Sequence, residues 1–121
     1  MRLETCHPDL QKIFNHVINH YDCSILEGHR TEVKQQELFN SGASKVQAGK
    51  SKHNKYPSLA VDVAPYPIFW EEKERFLFFG GYVKSVADTL KIKIRWGGDW
   101  DGDGNFKDQT FNDYVHFELL D

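Results

Sequence analysis

Apolar residues recur along this chain in two rhythms. From Pro8 to Tyr21, Leu10, Ile13, Phe14, Val17, Ile18 and Tyr21 follow the three-and-four spacing of a helix with one buried side, and Pro8 suits a first turn. A second helix is predicted from Thr31, whose hydroxyl can cap it, to about Asn40, with Gly42 placed to close it. The longest helix is predicted from about Trp70 to Leu90. There Phe76, Phe79, Val83, Val86 and Leu90 form the stripe, and Glu71, Glu72 and Glu74 complement the positive end of the dipole. Between the helices the period falls towards two. Cys23 to His29 is short and partly alternating, and Leu59 to Ala64 is apolar except for Asp62 and stops before Pro65 and Pro67. Ile92, Ile94 and Trp96 alternate with lysine and arginine, and near Tyr114 to Leu120 a last strand puts Val115, Phe117 and Leu119 on one face. Ser41 to Pro57 and Gly97 to Asp108 read as irregular loops. This order of elements predicts an α+β domain, a small, mainly antiparallel sheet packed with about three helices.

Composition narrows the class. A length of 121 residues without linker, repeat or low-complexity stretch fits one domain, residues 1–121. Apolar residues at 40% and charged residues at 27% argue for a folded chain, and nine Phe, five Tyr and three Trp can fill its core. The net charge of −3 and the lack of a basic block argue against a nucleic-acid partner. The longest apolar patch, Phe76 to Phe79, is cut by Gly80 and Gly81, far short of the ~20 residues that cross a bilayer. Residues Met1 to Pro8 lack the apolar core of an export signal. Cys6 and Cys23 are too few for a disulfide framework and wrongly spaced for a metal knuckle.

The six histidines are where a metal would be sought. His16 and His20 stand four apart on a helix, but Val17 occupies the place of the glutamate in an HExxH site, so a solvated face is expected. His7 and His29 have no paired signal. His53 lies where a polar loop runs into the strand holding Asp62, between Ala60, Val61, Val63 and Ala64. A carboxylate among such neighbours needs a strong partner, either a cation or a structural salt bridge. His116 favours the cation. It sits on a second apolar strand that could pair with the first, sharing a face with Tyr114 and Glu118. Two histidines and an aspartate from adjacent strands make a three-ligand set that leaves zinc an open position, the arrangement of a hydrolytic site.

These residues resemble a known family. Ser51-Lys-His53 through Ala60-Val-Asp62, then Asp113-Tyr-Val-His116, are similar to the SxHxxGxAxD and (E/D)xxH motifs of the VanY-like zinc peptidases. That group holds D-alanyl-D-alanine carboxypeptidases and phage L-alanyl-D-glutamate endopeptidases. Glu27-Gly-His-Arg30-Thr31 and Arg95-Trp-Gly-Gly-Asp-Trp100 look like further family segments, so the resemblance runs from about Tyr21 to Leu119. Asp113 in place of glutamate matches the phage endolysin branch. Two departures are visible: His53 and Asp62 are nine apart rather than seven, and the motif's glycine is missing near Tyr56-Pro57. Lengthening a loop by two residues costs little if the two side chains still converge.

The resemblance implies a hedgehog/D-Ala-D-Ala-peptidase-like fold and zinc held by His53, Asp62 and His116. It also implies activation of the attacking water with Asp113 as general base, and Arg30 on a substrate oxygen. Glu118, with the parity of His116, is the rival base and is better placed to orient a ligand. Ser51, Trp96 and Trp100 are expected to meet substrate, with core packing the competitor for the tryptophans. The expected substrate is the peptidoglycan stem peptide, cut between L-Ala and D-Glu. The expected protein is a monomeric phage or prophage lysis enzyme without a separate wall-binding domain. It would be held in the bacterial cytoplasm until another protein opens the membrane. A D-alanyl-D-alanine carboxypeptidase or dipeptidase, or an inactive zinc-stabilised domain that binds wall peptide, are the alternatives. Asp99, Asp101, Asp103 and Asn105, with Gly104, follow the start of a calcium loop, but Thr110 stands where the bidentate glutamate belongs, and a turn-rich polar loop is the competing reading.

Overall fold

Three helices and four strands form in the predicted order. The computed structural model describes residues 2–44, 49–104 and 112–120. The elements are α1 (Pro8–His20), β1 (Cys23–Glu27), α2 (Glu32–Asn40), β2 (Ala60–Pro65), α3 (Lys73–Thr89), β3 (Ile94–Gly97) and β4 (Asp113–Leu119). Single 3-10 turns lie at Leu3–Thr5 and Lys52–Asn54, the latter inside the stretch expected to be irregular.

Local chemistry sets most boundaries. The His7 ring accepts the Asp9 N–H at the head of α1, and the Thr31 hydroxyl accepts the Lys34 N–H at the head of α2. Leu10, Ile13, Phe14 and Val17 are buried, whereas Ile18 is 47% exposed. At 3.6 residues per turn Ile18 falls about 80° round from Leu10, on the flank of the stripe. α3 starts at Lys73 rather than near Trp70. Residues 69–72 form a turn closed by the Glu72 N–H on the Phe69 carbonyl, and Trp70 stacks on Phe76 at 5.5 Å. Ile92 belongs to the end of α3, not to β3. Lys91 adopts φ 62°, and the Ile92 N–H returns to the Ala87 carbonyl, closing the helix as a Schellman turn.

The sheet order is β1-β2-β4-β3 and every neighbouring pair is antiparallel. Directly paired residues share a face. Val61 opposite Phe117 and Trp96 opposite Phe117 turn one face to α1 and α3, where Phe14 and Phe79 pack their edges on the Phe117 ring. The other face carries Asp62 opposite His116, Glu27 opposite Asp62, and Arg95 opposite Glu118. One sheet thus has an apolar side that folds the chain and a charged side available for chemistry.

Candidate metal centre and active site

His53, Asp62 and His116 come together from three places: the 3-10 turn, the middle of β2 and the middle of β4. Their ligand atoms all lie within 4.8 Å of one another. The Asp62 Oδ1 is 3.2 Å from the His53 Nε2 and 3.2 Å from the His116 Nδ1. The two strand residues meet because they are register partners. The turn is held by Ser51, whose hydroxyl accepts the His53 N–H in a capping box with Asn54. The longer spacing between His53 and Asp62 therefore does not separate them.

The outer nitrogens of both rings are committed. The His53 Nδ1–H donates to the Gly28 carbonyl at 2.8 Å, and the His116 Nε2–H donates to the Glu118 Oε1 at 2.8 Å. A neutral imidazole with one nitrogen donating presents a lone pair on the other. Two lone pairs and a carboxylate oxygen then face one point, an electron-rich group that only a proton or a cation can reconcile. Tetrahedral ligands bound to zinc at about 2.0–2.1 Å stand roughly 3.3 Å apart, so the two 3.2 Å separations fit such an ion.

The electrostatics agree with a proton filling that place when no metal does. Burial alone would lower the His116 pKa, but its bonds to Asp62 and Glu118 outweigh this and push it up to about 9. Burial works against the Asp62 charge too, yet bonds from His116 and His53 hold its carboxyl well below the usual range. For Glu118 burial is likewise overcome, by His116 and Arg95, and its pKa falls to about 2. Its other oxygen takes the Arg95 guanidinium at 2.8 Å and the Lys52 ammonium at 3.4 Å.

These residues open on a cavity of about 660 Å³ that Arg30, Ser51, Trp100 and Asp113 also line. Asp113 is the first residue of β4, not a residue ahead of the strand. Trp96 pairs with Phe117 while the adjacent Gly97 pairs with Asp113, so one step on β3 spans four on β4. That bulge breaks the alternation that would have turned Asp113 away from His116. Gly97 makes it possible, since a Cβ there would lie 2.1 Å from the Asp113 carbonyl oxygen. Burial, reinforced by the Asp62 charge, raises the Asp113 pKa, while His116, His53 and Arg30 oppose the rise.

Arg30 donates from Nε to Glu27 at 3.3 Å and from Nη1 to Gln35 at 2.7 Å, and its Nη2 stands 3.6 Å from the Asp62 Oδ2. Trp100 lies with its ring 5.5 Å from that of His116 and the Arg95 guanidinium over its face. Trp96 does not line this cavity. It is a core residue, stacked on Phe117, its Nε1–H on the Tyr114 carbonyl, and wedged where a Cβ on Gly80 or Gly98 would overlap its ring. Asp99 is buried, accepts the Gly104 N–H and pairs with Lys84, and its carboxylate lies with those of Asp101 and Asp103 within 4.8 Å. Asn105 lies outside the described residues.

His16 and His20 are exposed on α1, and among the described residues no helix is long and apolar enough to cross a membrane. Cys6 and Cys23 are buried free thiols that burial pushes up to about 11, so neither supplies a thiolate at neutral pH. The sequence reading missed Gln35, Lys52 and Arg95. The one hint was the low apolar content of α2, which leaves a polar side chain to fill its inner face.

A four-stranded antiparallel sheet with three helices is the α+β architecture of VanY-like peptidases. The solved structure of VanY, a vancomycin-resistance D,D-pentapeptidase in complex with Zn(II), has that fold at a TM-score of 0.56 and 18% identity, covering 98% of this chain and 71% of that one. The chain belongs to the phage L-alanyl-D-glutamate peptidase family, whose model matches residues 1–120. It is 32% identical to the L-alanyl-D-glutamate peptidase of Escherichia phage T5, over 98% of this chain and 92% of that protein. It is 28% identical to the peptidoglycan L-alanyl-D-glutamate endopeptidase CwlK of Bacillus subtilis, over 82% of this chain and 61% of that protein. The L-Ala D-Glu endopeptidase ChiX of Serratia marcescens superimposes with a TM-score of 0.78 at 27% identity, covering 98% and 84% of the two chains.

Proposed function

We propose that this protein is a zinc peptidase that hydrolyses the L-Ala–D-Glu bond of the peptidoglycan stem peptide. The observation that carries the reading is the convergence of two imidazole lone pairs and the Asp62 carboxylate beside Asp113. Zinc, when bound by His53, Asp62 and His116, polarises a carbonyl and lowers the pKa of water to about 7. The chain's own residues do the rest. Asp113 takes the proton of the water that attacks the L-Ala carbonyl carbon, and returns a proton to the D-Glu nitrogen as the C–N bond breaks. Its raised pKa suits a group that must first accept and then donate. Arg30 holds the carbonyl oxygen as negative charge builds on it. Glu118 serves as the partner that fixes the His116 tautomer, because both its oxygens are engaged. Trp100 walls the cleft, and Ser51 supports the His53 turn from the edge of the cavity. Acting as a monomer, the protein would wait in the bacterial cytoplasm for the membrane to be opened.

Digestion of defined muropeptides, read by mass spectrometry, tests this. New amino termini on D-Glu are expected. Release of free D-Ala would instead show the carboxypeptidase or dipeptidase activity of the wider group, and no cleavage would leave a wall-peptide binding domain.

The Asp99 loop belongs to the same reading as a calcium site. The Asp99 Oδ1 is buried and has no hydrogen-bond partner among the described residues, and the Asp99, Asp101 and Asp103 carboxylates each bring an oxygen within 4.8 Å of the others. Like charges gathered around a buried oxygen favour a divalent cation. Calcium titration followed by terbium luminescence, sensitised by the adjacent Trp100, should show one displaceable ion. Absence of any displaceable signal would return the loop to a structural role.

A further inference from the structure

Gln35 lies in the second turn of α2, outside every motif noted above, and has no exposed surface. A buried amide is costly unless both of its ends are bonded. Its Oε1 accepts from the Arg30 Nη1 at 2.7 Å, and its Nε2 donates to the Ser44 hydroxyl at 2.9 Å. Arg30 can only donate, which fixes the orientation of the amide. Ser44 also lines the cavity, so the amide ties Arg30 to that part of its wall.

The consequence concerns where the guanidinium stops. Glu27 holds its Nε edge and Gln35 its Nη1, leaving Nη2 at 3.6 Å from the Asp62 Oδ2. A closed charge-assisted bond would be about 2.7–2.9 Å. Arg30 is thus held short of Asp62. Three of its five N–H groups face protein acceptors and two are left for the cavity.

We infer that Gln35 is a positioning residue: it holds Arg30 back from Asp62 so that the free N–H groups point at the substrate oxygen. The inference rests on the peptidase reading above. Without the amide, Arg30 loses the acceptor that α2 offers its Nη1, and the cation can move onto Asp62, which would withdraw it from substrate.

The test compares Gln35→Met, which keeps length but loses the acceptor, with Gln35→Glu, which keeps the acceptor. Both are made in the natural chain and in an Arg30→Met background, and assayed on a defined muropeptide with zinc content measured in parallel. Gln35→Met should lower kcat/KM about tenfold to a hundredfold, the size of effect that an ångström of misplacement produces. Gln35→Glu should recover to within about threefold, and zinc content should not change. In the Arg30→Met background Gln35→Met should add no further loss, because the residue acts through Arg30. An equal loss in both backgrounds, or a Gln35→Glu variant as poor as Gln35→Met, would overturn the inference. If Gln35→Met does not fold, Ser44→Ala carries the same test, losing activity in the natural chain and none in the Arg30→Met background. An unmutated protein that cleaves no muropeptide would sink the peptidase reading instead.

Discussion

Gly97→Ala is the substitution whose effect the structure sizes most directly. The added Cβ would sit 2.1 Å from the Asp113 carbonyl oxygen, 2.9 Å from its carbonyl carbon and 3.0 Å from its Cβ. Cβ contacts below 3.0 Å are essentially unknown, and the obstructing atoms are backbone, so no side-chain rotation relieves them. β3 and the start of β4 must therefore separate by about 1 Å, carrying Asp113 away from His53, Asp62 and His116. A misplacement of that size costs about a hundredfold in rate. Overpacking of this kind also costs about 1–3 kcal/mol of stability, or roughly 4–12 °C in Tm at about 4 °C per kcal/mol. Zinc content should stay at one per chain, because the atoms nearest the added Cβ belong to Asp113 and not to His53, Asp62 or His116. Muropeptide cleavage rates, metal analysis and thermal unfolding on the same preparation measure all three. A Gly97→Ala protein with unimpaired turnover would refute the claim that the bulge places the catalytic base.

Further outcomes separate the roles of individual groups. Asp113→Asn should keep zinc but lose turnover, whereas His116→Ala should lose both; near-normal turnover by Asp113→Asn would remove Asp113 as the base. In the metal-free protein the His116 pKa rises from 6.5 to about 9, so protonation stabilises the fold fully below pH 6.5 and this is lost as pH climbs through 9. At 1.36 kcal/mol per unit that is about 3 kcal/mol, readable by urea unfolding of chelated protein at pH 6 and pH 10. Equal stability at both pH values would contradict the bonding described for His116. Phe117→Ala should cost about 3–5 kcal/mol, since the ring is fully buried between Phe14, Phe79 and Trp96; a loss below 1 kcal/mol in urea unfolding would contradict that packing.

Two of the three proposed metal ligands were readable in the sequence because each carries its own local contradiction. Asp62 is a charge inside an apolar strand, and His116 interrupts another. Long-range register carries no such mark. Nothing around Gly97 or Asp113 states that one step on β3 will span four on β4, so the apolar pattern places the start of the strand near Tyr114, one residue late. Trp96 and Trp100 look alike in a glycine-rich tract. Pairing with Phe117 and the space left by Gly80 send the first into the core, while the second reaches the cavity. The helices were legible where the stripe was strong. α3 begins later than its charges suggested because an aromatic turn from Phe69 to Glu72 occupies the approach. Gln35 was invisible because a buried amide is defined by its partners, and those lie five and nine residues away.

X-ray absorption at the zinc edge of the purified, zinc-loaded protein tests the central claim most directly. Two imidazole nitrogens and light oxygen donors at about 2.0–2.1 Å, one ion per chain, with the signal abolished by His53→Ala, are the expected result. Sulfur scattering at about 2.3 Å, which would implicate Cys6 or Cys23, or a protein that takes up no zinc, would contradict it.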